Sequence, residues 1–349
     1  MNPTITRRII GALVLATATT LAQPANSVTP PKSSVAGQEY THPIRYEIWF
    51  PKEGNKSTKE VYRVWIPEKV KQVRAVILVP DYQNDREIYF SENLGYRQFA
   101  QRMEFALMAY RIFNEDSDKT RDEATKDMLL ALVSIAKTSG HPELAHAGLI
   151  PTGLSWGGRC ATAIALSVPE RTIGFVPLHQ TLTFKEISES AHKEAFFQVP
   201  GLYETAQFEE SHSHDPKDPS LEASDGIPVA LACNAKGAIH AGFINPGCNH
   251  PIVKAPEFIM QWITAITRKR LPSPLPFDKA PSLTPIARES GWLGTFNYEH
   301  RWKPDGKFDR FEIKSAAIVP FAQFKGDPGT AHWLPDEALA KAWKAKMGF

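Results

Sequence analysis

Apolar and polar residues alternate with a period of two in IRYEIWF (44–50) and again in EVYRVWI (60–66). The polar stretch KEGNKSTK separates them, and the pattern predicts a β-hairpin. AVILVP (75–80) is an unbroken apolar run, which suits a strand buried on both faces of a parallel sheet. Helical and strand-like segments then alternate. Tyr96 to Met103 reads as a helix and FALMAYRIF (105–113) as a strand. Asp122 to Lys137 has acids in its first turn, apolar residues at helical spacing and a lysine at its end, which predicts a helix. AGLIPT (147–152) reads as a short strand. GRCATAIALSV (158–168) reads as a helix with small residues where it would press on a sheet. TIGFVPLH (172–179), QVPGLYET (198–205) and IPVALACNA (227–235) read as strands, and Pro256 to Arg268 as a helix. This order predicts an α/β fold, a mostly parallel sheet with helices on both faces.

From Leu271 the character changes. LPSPLPFDKAPSLTP is a Pro-rich connector, and beyond it only Pro335 to Lys344 has a helical pattern. The tail carries GWLG (291–294), HRW (300–302) and HWLPDEALAKAW (332–343). It is expected to pack as an arm over the edge of the sheet. The competing expectation is that its tryptophans wall a substrate cleft. At the other end, Arg7-Arg8 precede the apolar run Ile9 to Ala22, too short to span a bilayer comfortably, with small residues at Thr20-Leu21-Ala22. That pattern predicts a cleaved export leader over 1–22, against an uncleaved anchor. A flexible lead-in is expected over 23–40, a catalytic domain over 41–275 and an extension over 276–349. The mature chain is expected to be secreted or periplasmic, without stable membrane insertion.

Composition refines this reading. Hydrophobic residues make up 42% of the 349 and proline accounts for 28, which implies a globular chain with stiffened loops. Lys and Arg total 40 against 38 acids, and the leader holds two of the arginines, so the remainder is balanced. No nucleic-acid partner is expected. Cys160, Cys233 and Cys248 are the three cysteines. Export permits a disulfide, and Cys233 with Cys248 is the candidate pair. Cys160 reads as a buried thiol.

Gly153-Leu154-Ser155-Trp156-Gly157 matches G-x-S-x-G, with a strand predicted before it and a helix after it. The glycines are explained by a sharp, strained turn that presents a serine hydroxyl. Such a serine needs a base within reach and an acid to orient the base, following it in the chain in the order acid, then histidine. His250 lies between the last predicted strand and the closing helix and is the candidate base. His240 competes but reads as a strand or turn residue, and His179 ends a strand too early in the order. His212 and His214, in SHSHDPKDP, read as solvated. Glu209 ranks first as acid, ahead of Glu204 and Glu210, with Asp215 also in the loop. Glu204 would be a charge inside a predicted strand, which is costly unless it is paired. The backbone N–H of Trp156 is one candidate oxyanion donor. The second is expected from the loop after AVILVP, with Tyr82 ahead of Asp81.

With these motifs in place, residues 41–270 resemble the α/β-hydrolase superfamily. The likeness rests on Gly153 to Gly158, on Pro200 to Glu209, and on His250 before the helix that ends near Arg268-Lys269-Arg270-Leu271-Pro272. Within the superfamily the chain is similar to secreted esterases of the dienelactone hydrolase, feruloyl esterase and polyester-hydrolase kind. Pro80-Asp81-Tyr82 resembles the P-G-Y loop of cutinase-like enzymes, with Asp in place of Gly. Dienelactone hydrolases use a cysteine nucleophile, so their activity is not carried over. The resemblance implies a serine hydrolase of small or polymeric carboxylic esters, with no cofactor and no metal. The competing readings are a peptidase or amidase on the same triad, and a binding protein that keeps the fold without catalysis.

Overall fold

β1 (Gly37–Phe50) and β2 (Asn55–Pro67) form the expected antiparallel hairpin, paired from Gly37 opposite Pro67 to Phe50 opposite Asn55. The register shifts between Pro43 and Tyr46. Proline has no N–H for the ladder, and a bulge on an edge strand accommodates it. The computed structural model describes residues 35–50, 55–81, 94–111, 121–209, 225–250, 256–306 and 308–349. The expected leader, most of the lead-in, Tyr82, Glu210, His212, His214 and Asp215 lie outside these residues. The lead-in expected as far as residue 40 gives way to β1 at Gly37.

Six further strands complete the large sheet: β3 (Ala75–Asp81), β4 (Phe105–Arg111), β5 (Gly148–Leu154), β6 (Val176–Leu178), β7 (Gly201–Phe208) and β8 (His240–Asn249). The strand order is β1-β2-β4-β3-β5-β6-β7-β8, antiparallel at β1, β2 and β4 and parallel from β4 to β8. Residues 75–79 are fully buried, as the continuous apolar run implies. Val76 and Leu78 face one helical layer, which includes α2 (Arg121–Ser139) and α3 (Trp156–Ser167). Ala75, Ile77 and Val79 face the other, built from α1 (Leu94–Met103) and from Pro256–Arg270, the last helix before the Pro-rich connector. The period-two alternation of a strand thus divides the core into two layers.

Two corrections follow. Residues 227–235, expected as a strand, form a helix. After α4 (Phe184–Glu189) and α5 (Lys193–Phe197), this is α6 (Gly226–Asn234), and Pro256–Arg270 is α7. A short run that is apolar nearly throughout carries no periodicity that separates strand from helix. The edge strand is instead β8, whose sequence HAGFINPGCN has few β-branched or aromatic residues.

The tail also holds more than one helix. β9 (Trp292–Trp302), β10 (Phe308–Pro320) and β11 (His332–Leu334) form a second antiparallel sheet in the order β10-β9-β11. α8 (Glu337–Lys346) follows, capped by Asp336, whose side chain accepts from the Leu339 N–H at 2.9 Å. Trp333 and Trp343 are fully buried against α7 and β8, so they are core residues and not cleft walls. Side chains close the open edge of β8. The Gly242 N–H donates to His332 Nδ1 at 3.0 Å, and its carbonyl accepts from Trp343 Nε1 at 2.9 Å. Asn234 pairs both backbone groups of His240 and also donates to the Ala331 carbonyl at 2.8 Å. An unpaired strand edge would otherwise recruit another chain. The candidate Cys233–Cys248 bridge does not form: no disulfide links the three buried cysteines, Cys233 lying in α6 and Cys248 in β8. No described helix is long and apolar enough to cross a membrane.

Candidate active site

Ser155 sits between β5 and α3 with φ 55° and ψ −125°. A non-glycine residue held there costs on the order of 1–3 kcal/mol, so its surroundings must enforce it. The glycines around it are required by close approach. A Cβ on Gly153 would lie 2.2 Å from the Gly157 carbonyl oxygen, and one on Gly158 would lie 2.2 Å from that of Gln180. The Ser155 N–H donates to the Leu178 carbonyl at 2.9 Å, tying the turn to β6. The buried Tyr110 hydroxyl lies 3.1 Å from the carbonyls of both Thr152 and Gly157 and braces the turn from beneath. Trp156 opens α3, where backbone N–H groups and the helix dipole favour negative charge. The Arg159 guanidinium lies 5.0 Å from the Trp156 ring centroid and is held by Glu186 and the Thr181 carbonyl.

The ends of the next three strands supply the titratable groups. His179 follows β6, Glu204 lies on β7, Glu209 follows β7 and His250 follows β8. Parallel strands bring these ends to one edge of the sheet, beside Ser155. Glu209 is buried, and its Oε1 lies 2.7 Å from His250 Nδ1. Its other oxygen, Oε2, makes a short contact with His179 Nδ1. His179 Nε2 stands 3.0 Å from Glu204 Oε2, at ion-pair distance but without an aligned hydrogen bond. Glu204 Oε1 accepts from Asn245 Nδ2 at 2.8 Å. The result is a row that runs from the half-buried His250 to the buried Glu209, His179, Glu204 and Asn245. Burial alone would depress the His179 pKa, but the two flanking carboxylates outweigh it and hold it up at about 10.

Glu209 and His250 are thus in direct contact. Glu204 meets His179 and Asn245 and faces no solvent. His240 does not join the site. It is fully buried among Phe175, Phe196 and Tyr203, with Nε2 3.1 Å from the Val199 carbonyl. Burial lowers its pKa to about 3, so it stays neutral. The Ser155 hydroxyl makes no hydrogen bond to another described side chain. Such contacts are often long without substrate and tighten in the reacting complex.

Two groups escaped sequence reasoning. His179 ends its strand before the acid, which excluded it as a base but not as a partner of the acid. The available signal was charge: two glutamates on one buried strand and its exit need a second cation. Asp225, before α6, is also buried and accepts from Thr205 Oγ1 at 2.9 Å. Burial, reinforced by the negative charge of Glu209, raises its pKa to about 6.

The ligand atoms of His179, Glu209 and His250 lie within 4.8 Å of one another. The 2.7 Å imidazole–carboxylate contact is an ordinary hydrogen-bond distance. Two ligands on one tetrahedral zinc would stand roughly 3.4 Å apart.

No protein-family profile and no curated protein matches the chain. Among solved structures it is similar to an esterase of Pyrobaculum calidifontis, at 15% identity and TM-score 0.43 over 68% of this chain and 87% of that one. A feruloyl esterase module from Clostridium thermocellum, complexed with sinapinate, gives 13% identity and TM-score 0.39 over 62% and 82%. A fluorophosphonate-binding serine hydrolase of Staphylococcus aureus gives 12% and 0.40 over 66% and 98%. The strand order and the strained serine turn agree with the α/β-hydrolase resemblance carried by the sequence motifs.

Proposed function

We propose that the chain is a serine hydrolase of carboxylic esters. The observation that carries this is Ser155 on its strained turn, at the sheet edge that also holds the Glu209–His250 pair. Ser155 Oγ attacks the ester carbonyl and gives its proton to His250 Nε2, the nitrogen turned away from Glu209. Glu209 holds the Nδ1–H tautomer and stabilises the imidazolium that forms. The Trp156 N–H, with a second donor from the loop at Tyr82, stabilises the oxyanion. His250 returns the proton to the leaving alcohol, which departs as the acyl-enzyme forms. Water, activated by the same histidine, then releases the acid and restores Ser155. The chemistry needs no cofactor.

We further read residues 1–22 as an export leader, on the strength of Arg7-Arg8 and the apolar run that follows. N-terminal sequencing of the exported protein tests that point, and a retained Met1 would contradict it. Hydrolysis of a p-nitrophenyl ester series of increasing acyl length tests the main reading. Turnover of at least one ester that is lost in Ser155→Ala supports it, and equal turnover in that variant overturns it.

A further inference from the structure

We propose that His179 is a positioning residue of this site: as a buried imidazolium it holds Glu209 in line with His250 and limits how strongly that carboxylate draws a proton onto His250. The inference rests on the hydrolase reading and extends it to a residue outside the triad.

Geometry comes first. Glu209 has two oxygens, and each faces one imidazole Nδ1, Oε1 that of His250 and Oε2 that of His179. The carboxylate therefore cannot rotate without losing one partner. The two rings meet edge to face with centroids 5.1 Å apart. His179 itself is held in a strained backbone, φ 68°, with its N–H donating to the Glu204 carbonyl at 2.7 Å. Strain of this kind persists where the surroundings over-determine a residue.

Glu204 is 0% and Glu209 1% exposed. Ionised carboxylates buried this deeply are costly unless a cation lies against them, and His179, between the two, is placed to be that cation. Among the described residues, the other titratable groups that face this row include His250, after β8, and Asp225, before α6, which acts on Glu209. Asn245 on β8 supplies an uncharged donor to Glu204. The elevated His179 pKa agrees with this arrangement.

The consequence is electrostatic. A carboxylate next to His250 favours its protonated, inactive form, and a positive neighbour on the same carboxylate opposes that tendency. His179→Gln retains an N–H donor for Glu209 but removes the charge. At the 5.1 Å ring separation and an effective dielectric of about 20, the acid limb of kcat/KM should move up by about two pH units. The His250 imidazole, followed by nitrogen-15 NMR, should titrate higher by the same amount. In the wild-type protein His179 should remain doubly protonated from about pH 6 to about pH 9.

A folded His179→Gln protein with an unmoved acid limb and unmoved His250 titration overturns the proposal. So does a wild-type His179 that titrates near the ordinary value of about 6.5. The wild-type NMR measurement decides the matter if the variant does not fold. Fluorophosphonate labelling of wild-type Ser155 judges the hydrolase reading separately. If Ser155 is inert, that reading fails, while the two NMR titrations still test His179.

Discussion

Replacing His332 by Asn isolates one acid-sensitive contact in the arm that closes the sheet. His332 is fully buried, stacked on Phe296 with centroids 5.1 Å apart, and its Nδ1 accepts the Gly242 N–H. A protonated Nδ1 has no lone pair to offer, so protonation would leave that amide unpaired inside the core. Burial accordingly depresses the His332 pKa from 6.5 to about 3. Between those values the unfolded state binds a proton that the folded state refuses. Stability from this residue is therefore complete above about 6.5 and falls as the pH drops towards 3, by ~1.4 kcal/mol per unit. Lowering the pH from about 7.5 to about 5 should cost about 2 kcal/mol through His332 alone. His240, with the same depressed value, adds a similar loss. Asp225, raised to about 6, acts oppositely and regains ~1.4 kcal/mol over that interval, because its folded form takes up a proton first. His179 keeps its proton in the folded state throughout, whereas the unfolded state takes one up only below about 6.5, so it too regains ~1.4 kcal/mol over that interval. Its contribution is present below about 6.5 and is lost as the pH rises towards 10. These shared contributions cancel in a comparison of variants. Asn at 332 offers an acceptor oxygen that does not titrate. Urea unfolding followed by tryptophan fluorescence at the two pH values should show wild type losing about 2 kcal/mol more than His332→Asn. Equal losses would refute the reasoning.

His250→Ala should reduce kcat on an ester substrate by on the order of 10³-fold or more, whereas His240→Ala should lower the unfolding midpoint and leave kcat in the surviving folded protein near wild type. Glu209→Gln should lower kcat by up to about 10⁴-fold, more than Glu204→Gln, whose larger effect should appear in a thermal melt because it leaves His179 short of a partner. Gly153→Ala places a methyl on the Gly157 carbonyl, so soluble protein, if recovered, should show a displaced turn, read as loss of turnover with an intact far-ultraviolet spectrum. Wild-type turnover in that variant would contradict the packing argument.

The serine turn was legible because it is local: G-x-S-x-G needs only a strand before it and a helix after it, and both were plain in the apolar pattern. Glu209 and His250 could be ranked because strand ends in a parallel sheet converge on one edge. His179 was not legible, since its role depends on which oxygens of Glu209 remain for a second ring. The interchange at 227–249 has a different cause. IPVALACN is apolar enough for a strand but folds as α6, and the strand is written in Gly, Asn and Pro. β8 is stabilised by the side chains of Asn234, His332 and Trp343, which lie elsewhere in the chain. No local propensity records such help. The β9–β10 ribbon was missed in the same way: its aromatic positions find their partners across strands, Tyr298 and His300 against Phe311, and not within one run.

The central claim is that Ser155 is a nucleophile activated by His250 and Glu209. Its most direct test is intact-protein and peptide mass spectrometry after treatment with a fluorophosphonate. The expected result is one phosphonyl adduct on Ser155, absent in Ser155→Ala and strongly slowed in His250→Ala and Glu209→Gln. An adduct on another residue, or labelling of Ser155 at the same rate in all the variants that retain it, would contradict the account.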